Sequence, residues 1–124
     1  MDADDLRQIM ALLADYGLTL DEGRFDDHMA LYDDECRLHV FGRDWKGKAR
    51  IEEFMRGAHR GKHLTGVPRV EFDANRALSA ADFVFFRADM LLYSGGTYRD
   101  EFVRTSDGWR FSSRTIEIAL RAES

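Results

Sequence analysis

The stretch Asp4-Asp5-Leu6-Arg7-Gln8-Ile9-Met10-Ala11-Leu12-Leu13-Ala14-Asp15-Tyr16-Gly17-Leu18-Thr19-Leu20-Asp21 sets the terms for the rest of the chain. Leu6, Ile9, Met10, Leu13, Tyr16, Gly17 and Leu20 recur at three- and four-residue steps, which predicts an amphipathic helix with Asp5, Arg7, Gln8 and Asp15 turned outward. Asp2, Asp4 and Asp5 place negative charge at the positive end of its dipole. Asp21 falls one turn after Gly17, on the inward stripe of Tyr16 and Leu20. A carboxylate on a buried stripe is costly unless something pairs with it. Asp21 is therefore a candidate functional residue, or else a punctuation of the turn before Gly23.

Outward from this helix, Glu22-Gly23-Arg24 reads as a turn, and Phe25, Met29 and Tyr32 recur on a short second helix. Asp33, Asp34 and Glu35 break that period before a strand from Cys36 to Phe41, and Gly42 to Gly47 turns the chain. A third helix starts at Lys48 or Ala49, with Ile51, Phe54, Met55 and Ala58 inside. Lys62-His63-Leu64-Thr65 opens a sheet-rich half. Val67 to Asp73 is a strand with Pro68 near its start, and Arg76 to Tyr93 is a long extended segment. Gly95-Gly96 reads as the next turn, followed by a strand from Thr97 to Thr105, the hairpin signal Asp107-Gly108 and a last strand from Trp109 to Leu120. Helices in one half and strands in the other predict an α+β domain over residues 1–124, a curved antiparallel sheet wrapped around about three N-terminal helices. Such a cone has one open mouth, suited to a small molecule.

A chain of 124 residues is long enough for one core. Its net charge of −5, with Lys and Arg scattered, argues against nucleic acid as a partner. No run approaches the roughly 18 apolar residues of a membrane span, and MDADDLRQ lacks an apolar signal region. The expected location is cytoplasmic. Cys36 is the sole cysteine and can form no internal disulfide, and no CxxC or HxxxH spacing points to a metal.

Several of these segments together resemble a family. The helix ending Tyr16-Gly17-Leu18-Thr19-Leu20-Asp21, the segment Phe25 to Tyr32, Trp45-Lys46-Gly47-Lys48 before the Ile51-Phe54 helix, Lys62-His63-Leu64, Tyr98-Arg99-Asp100-Glu101-Phe102 and Asp107-Gly108-Trp109-Arg110-Phe111 with Arg114 look like SnoaL-like proteins of the nuclear-transport-factor-2-like superfamily. Scytalone dehydratase, hexachlorocyclohexane dehydrochlorinase, ketosteroid isomerase, limonene epoxide hydrolase and SnoaL polyketide cyclases belong there, beside members with no catalysis. In dehydratase- and dehydrochlorinase-type relatives an Asp ending the first helix pairs with a His after the third. The resemblance carries those roles to Asp21 and His63, and that of a pocket arginine to Arg114. Thr65-Gly66-Val67 departs from the asparagine-containing segment common in relatives, and the second pocket histidine of scytalone dehydratase has no evident counterpart, the nearby strand offering Tyr98 instead.

The resemblance implies a cofactor-independent lyase or isomerase, with His63 as the base, acting on a small hydrophobic cyclic or polyketide-like substrate by dehydration, elimination or enol shift. A SnoaL-type polyketide cyclase and a non-catalytic small-molecule-binding or dimerisation module remain alternatives, and an Asp-Arg-Asp epoxide hydrolase set among Arg87, Asp89 and Asp100 lacks a convincing register. Tyr16 and Tyr98 are candidate donors to a developing negative charge, with Arg114. Arg114 could instead pair with Asp100 or Glu101, and strand alternation puts Arg110 on its face unless the strand bulges. Trp45, Phe54, Phe83, Phe85, Met90 and Phe102 are candidate apolar lining. His28, His39 and His59 carry no pairing argument and are expected to be solvent-facing or structural. Phe83-Val84-Phe85-Phe86 is apolar on both faces, so one face is expected to meet a second subunit, giving a homodimer, or a trimer as in some dehydratase-like relatives.

Overall fold

The computed structural model describes residues 2–122. The chain runs α1 (Ala3–Asp21), α2 (Phe25–Met29), β1 (Tyr32–Val40), β2 (Arg43–Lys46), α3 (Lys48–Gly57), β3 (Gly61–Thr65), β4 (Arg69–Asp73), β5 (Arg76–Arg87), β6 (Leu92–Thr105) and β7 (Gly108–Arg121). One seven-stranded sheet has the order β2-β1-β7-β6-β5-β3, with β4 also on β5. Every pairing is antiparallel except β1 with β7. The architecture is α+β, N-terminal helices under a curved, unclosed antiparallel sheet.

The helical period of α1 is real, but its buried stripe is rotated from the one the Leu6 and Met10 spacing suggests. Ile9, Leu12, Leu13, Tyr16 and Leu20 are buried, while Leu6 and Met10 are 37% and 43% exposed. Asp5, expected outside, is buried instead. Its carboxylate accepts from Arg104 Nη1 at 2.8 Å, Arg104 Nη2 at 3.1 Å and Trp109 Nε1 at 3.0 Å. The Arg104 hydrogen bond, joined by that of Trp109, holds the Asp5 carboxyl well below the usual carboxylate range. The start of α1 is thereby tied to the β6–β7 hairpin. At the same end, Asp2 caps the helix by accepting the Asp5 N–H at 2.9 Å.

Two turn signals resolve differently from their sequence reading. Arg43–Lys46 is not a turn but strand β2, because Phe41 and Gly42 both take positive φ (54° and 71°) and close a two-residue hairpin onto β1. A bulky residue in that conformation is strained, which is why the signal was not visible. Gly95-Gly96 is no turn either. Both lie inside β6, beside a bulge in β7, where a Cβ on Gly96 would stand 1.8 Å from the Glu117 carbonyl oxygen. The reversal falls earlier, at Ala88–Leu91, where the Leu91 N–H donates to Asp89 Oδ1 and Met90 takes φ 73°.

A second bulge decides which residues of β7 face inward. Glu101 pairs with Ser113 but Phe102 pairs with Phe111, so Ser112 is extra. Trp109 and Phe111 point inward before it and Arg114 after it, and Arg110 stays half-buried with Nη1 on the Trp109 carbonyl.

Close approach at Gly96 gives a direct stability test. Gly96→Ala should cost about 3 kcal/mol, the upper end of overpacking effects, because a backbone oxygen cannot move aside. Gly57→Ala, with open space around its Cβ near the end of α3, should be neutral or stabilise by up to about 1 kcal/mol in denaturant titration.

Candidate functional site

The site begins where α1 stops. Gly23 takes φ 70°, its N–H donates to the Leu20 carbonyl, and the Arg24 N–H returns to Thr19, so the helix is closed immediately after Asp21. The Asp21 side chain is left facing the edge strand β3, 6% exposed. Its Oδ1 is 2.6 Å from His63 Nδ1, and its Oδ2 accepts the His63 backbone N–H at 2.9 Å with Lys62 Nζ at 3.4 Å. One carboxylate thus holds both the ring and the backbone of His63. Gly17 permits the approach, since a Cβ there would already be 3.3 Å from His63 Cβ.

Burial pushes the Asp21 carboxyl up. The His63 ring and backbone hydrogen bonds and the Lys62 charge outweigh it, leaving the pKa below the ordinary value. An ionised Asp21 accepts from an Nδ1–H, so the neutral ring presents Nε2 as its lone pair. Nε2 has no hydrogen-bond partner among the described residues. The ring rests against Phe85 at 4.5 Å and Tyr16 at 6.2 Å between centroids.

His63 and Asp21 open onto a cavity of about 400 Å³. Tyr16, Trp45, Phe54, Phe83, Phe85 and Tyr98 line it, with Leu20, Phe25, Val40, Met55, Ile116 and Ile118. Phe102 does not. It shares the inward face of β6 with Tyr98 and Asp100 but lies further along the strand, fully buried in the core against Phe111. Met90 is 85% exposed in the β5–β6 turn. Trp109, which sequence reasoning left unassigned, packs with Phe72 and Arg104.

Arg114 does not line the cavity. It lies one layer beneath, paired bidentately with Asp100 at 2.7 and 2.8 Å, both side chains fully buried. Its Cζ sits 3.6 Å from the ring centroid of Tyr98 and 3.9 Å from that of Tyr16. Burial disfavours its charge, but the Asp100 carboxylate outweighs that and moves the pKa up. Tyr98 in turn stacks on Phe83 at 4.1 Å. The cation supports the two phenol rings that form the cavity floor.

A further polar layer escaped the sequence. His28 is fully buried, with Nδ1 2.8 Å from Thr19 Oγ1 and Nε2 2.9 Å from Tyr32 Oη. Thr19 spends its own hydroxyl proton on the Asp15 carbonyl at 2.6 Å, so His28 Nδ1 donates and Nε2 accepts from Tyr32. Burial, helped by the Arg114 and His63 charges, drops the His28 pKa to about 3. His39 is exposed on Asp44 and His59 is exposed against Tyr93. Among the described residues, no three His, Cys, Asp or Glu side chains converge as metal ligands, and no helix is long and apolar enough to cross a membrane.

Helices under a curved, unclosed antiparallel sheet around one pocket make a cystatin-like fold. The SnoaL-like domain profile matches residues 1–115, and the chain belongs to that family. Uncharacterised proteins of Mycobacterium tuberculosis and Mycobacterium bovis are 30% identical over 121 residues, covering 89% of this chain and 82% of theirs. Among solved structures, an NTF2-like protein of Novosphingobium aromaticivorans superposes with a TM-score of 0.86 at 24% identity, covering 94% of this chain and 82% of that one. A protein of the same organism assigned as a scytalone dehydratase gives 0.82 at 16% identity over 96% and 87%. LinA gives 0.82 at 17% over 95% and 88%.

Two outcomes follow from the buried layers. His28 is neutral in the fold, so the unfolded chain takes up its proton first. Stability is full above about 6.5, the ordinary histidine value, and falls as pH drops toward about 3, by up to roughly 1.4 kcal/mol per pH unit. Denaturation midpoints between about pH 5 and 6.5, above the carboxylate range, should lose this slope in His28→Gln. Asp100→Asn, which leaves Arg114 buried without its counter-charge, should destabilise by about 3–5 kcal/mol in the same assay.

Proposed function

We propose that the protein is a cofactor-independent lyase or isomerase in which His63 removes a proton from carbon in a small hydrophobic cyclic substrate. The observation that carries this reading is the 2.6 Å contact of His63 Nδ1 with the buried Asp21, with Nε2 left unpaired beside an apolar cavity. Asp21 fixes the tautomer and offsets the charge of the imidazolium that forms, the orienting role a carboxylate plays beside a catalytic histidine. The C–H electrons pass into a new double bond as a leaving group departs, or into an enolate that is reprotonated at another carbon. His63 then returns its proton to the leaving group, to the new carbon or to water.

Tyr16 supports this chemistry as a neutral donor at the cavity wall, since burial raises its pKa and keeps the phenol proton in place. In this reading Arg114 positions Tyr16 and Tyr98 from below and does not touch substrate. A SnoaL-type cyclase would begin with the same proton abstraction. We also propose a cytoplasmic homodimer, meeting through the sheet face opposite the cavity. Val84 and Phe86 are half-buried there, and Leu64 and Leu78 are 54% and 49% exposed.

Proton abstraction can be read without knowing the natural substrate. In D2O, a panel of cyclic β-hydroxy ketones and cyclic enones should exchange carbon-bound protons with the native protein, followed by NMR. His63→Gln should lower the rate by about 10²–10⁴-fold, the usual contribution of a general base, and Asp21→Asn should lower it less. Exchange that persists in His63→Gln would refute the base assignment.

A further inference from the structure

The chain is acidic overall, with a net charge of −5, yet an arginine with uncommitted donors lines its cavity. Arg60 lines the cavity alongside Asp21 and His63. Most arginines here have a carboxylate partner, as with Arg7, Arg56, Arg76, Arg99 and Arg104. Arg60 has none among the described residues. Its guanidinium makes one hydrogen bond, Nη2 to the Asp21 carbonyl at 3.2 Å, and lies over Gly23, filling the space where a Cβ would be. Five N–H donors with one committed leave a fork able to take an anion.

Two more arginines, Arg43 and Arg121, have no carboxylate partner among the described residues and stand on rings that line the same cavity. Arg43 Cζ lies 4.9 Å over Trp45, and Arg121 Cζ 4.8 Å over Phe41, and both rings line the cavity. Phe41 is the residue strained at φ 54° in the β1–β2 turn. The cavity's acidic members are Asp21, already engaged, and Glu53 on α3, which forms no ion pair among the described residues. Arg60 is thus the lining guanidinium with donors to spare, and Arg43 and Arg121 add positive charge behind two of the lining rings.

We infer that Arg60, reinforced by Arg43 and Arg121, is an anion subsite that selects ligands joining an apolar ring to a single negative group such as a carboxylate. The ring fills the cavity and the carboxylate remains at the mouth on the residue that also braces the end of α1. This specificity deepens the lyase or isomerase reading and rests on it for its chemistry, but the binding preference stands or falls separately.

The probes are 2-naphthoate and its uncharged isostere 2-naphthamide, titrated by calorimetry and by the fluorescence of Trp45, with a Trp45→Phe control to separate it from Trp109. The native protein should bind naphthoate about tenfold more tightly than naphthamide, with the margin shrinking as salt is added. Arg60→Gln should abolish the margin while leaving naphthamide affinity unchanged, Arg60→Lys should restore part of it, and Arg43→Gln and Arg121→Gln should each reduce it. His63→Gln should keep the margin while losing proton exchange, so failure of the catalytic reading is distinguishable. Equal affinity for the two probes in the native protein, binding of neither, or a margin that survives Arg60→Gln would overturn the assignment. So would loss of both ligands in Arg60→Gln without rescue by Lys, because that pattern belongs to a residue that merely braces the helix.

Discussion

The contact on which the site depends is the one between the last residue of α1 and the edge strand β3. Asp21 accepts from the His63 backbone and ring at once, so it does for an edge strand what a neighbouring strand would otherwise do. It also removes the rotational freedom of a ring that would otherwise choose its tautomer by chance. The cost of placing that carboxylate in a 6% exposed position is met by three donors, His63 Nδ1, His63 N and Lys62 Nζ. Packing and the proposed chemistry therefore use the same atoms. Asp21 could not be lost without loosening β3 as well as misorienting His63.

Below this contact the interior is layered by polarity. The cavity wall is aromatic, the Arg114–Asp100 pair lies beneath the phenol rings of Tyr16 and Tyr98, and His28 with Thr19 and Tyr32 lies beside Tyr16. Buried ionic groups of this kind add little net stability compared with apolar packing, but removing one partner is expensive, so they fix one arrangement against others. The outcome is a floor under the ligand space that is stiff and made of neutral phenols. Among the lining residues, charge is carried by the dyad, by Glu53 on α3 and by Arg60.

How far the sequence revealed this depended on the range of the interaction. The period of α1 and the placement of Asp21 on its buried side were local patterns and were legible, as were the α+β order and most of the aromatic lining. His63 could be singled out because a buried carboxylate required a partner and a resemblance supplied one. What stayed hidden was set by distant partners or by bulges. Asp5 looked like a surface acid because Arg104 and Trp109 lie about a hundred residues away. His28 looked idle because its partners are common residues, Thr19 and Tyr32, with no motif of their own. Strand alternation coupled Arg110 to Arg114, and the Ser112 bulge uncoupled them. Gly95-Gly96 read as a turn, although the absence of side chains was needed there for close approach of Glu117.

The central claim is that Asp21 holds His63 with Nδ1 protonated and Nε2 open to the cavity. The measurement that tests it most directly is the long-range 15N–1H correlation of the histidine rings, recorded on the neutral imidazole in the native protein and in Asp21→Asn. His63 should be the Nδ1–H tautomer in the native protein and shift toward the Nε2–H form in the variant, while His28 keeps its tautomer in both. An Nε2–H ring at His63 in the native protein, or the same ring spectrum with and without the Asp21 carboxylate, would contradict it.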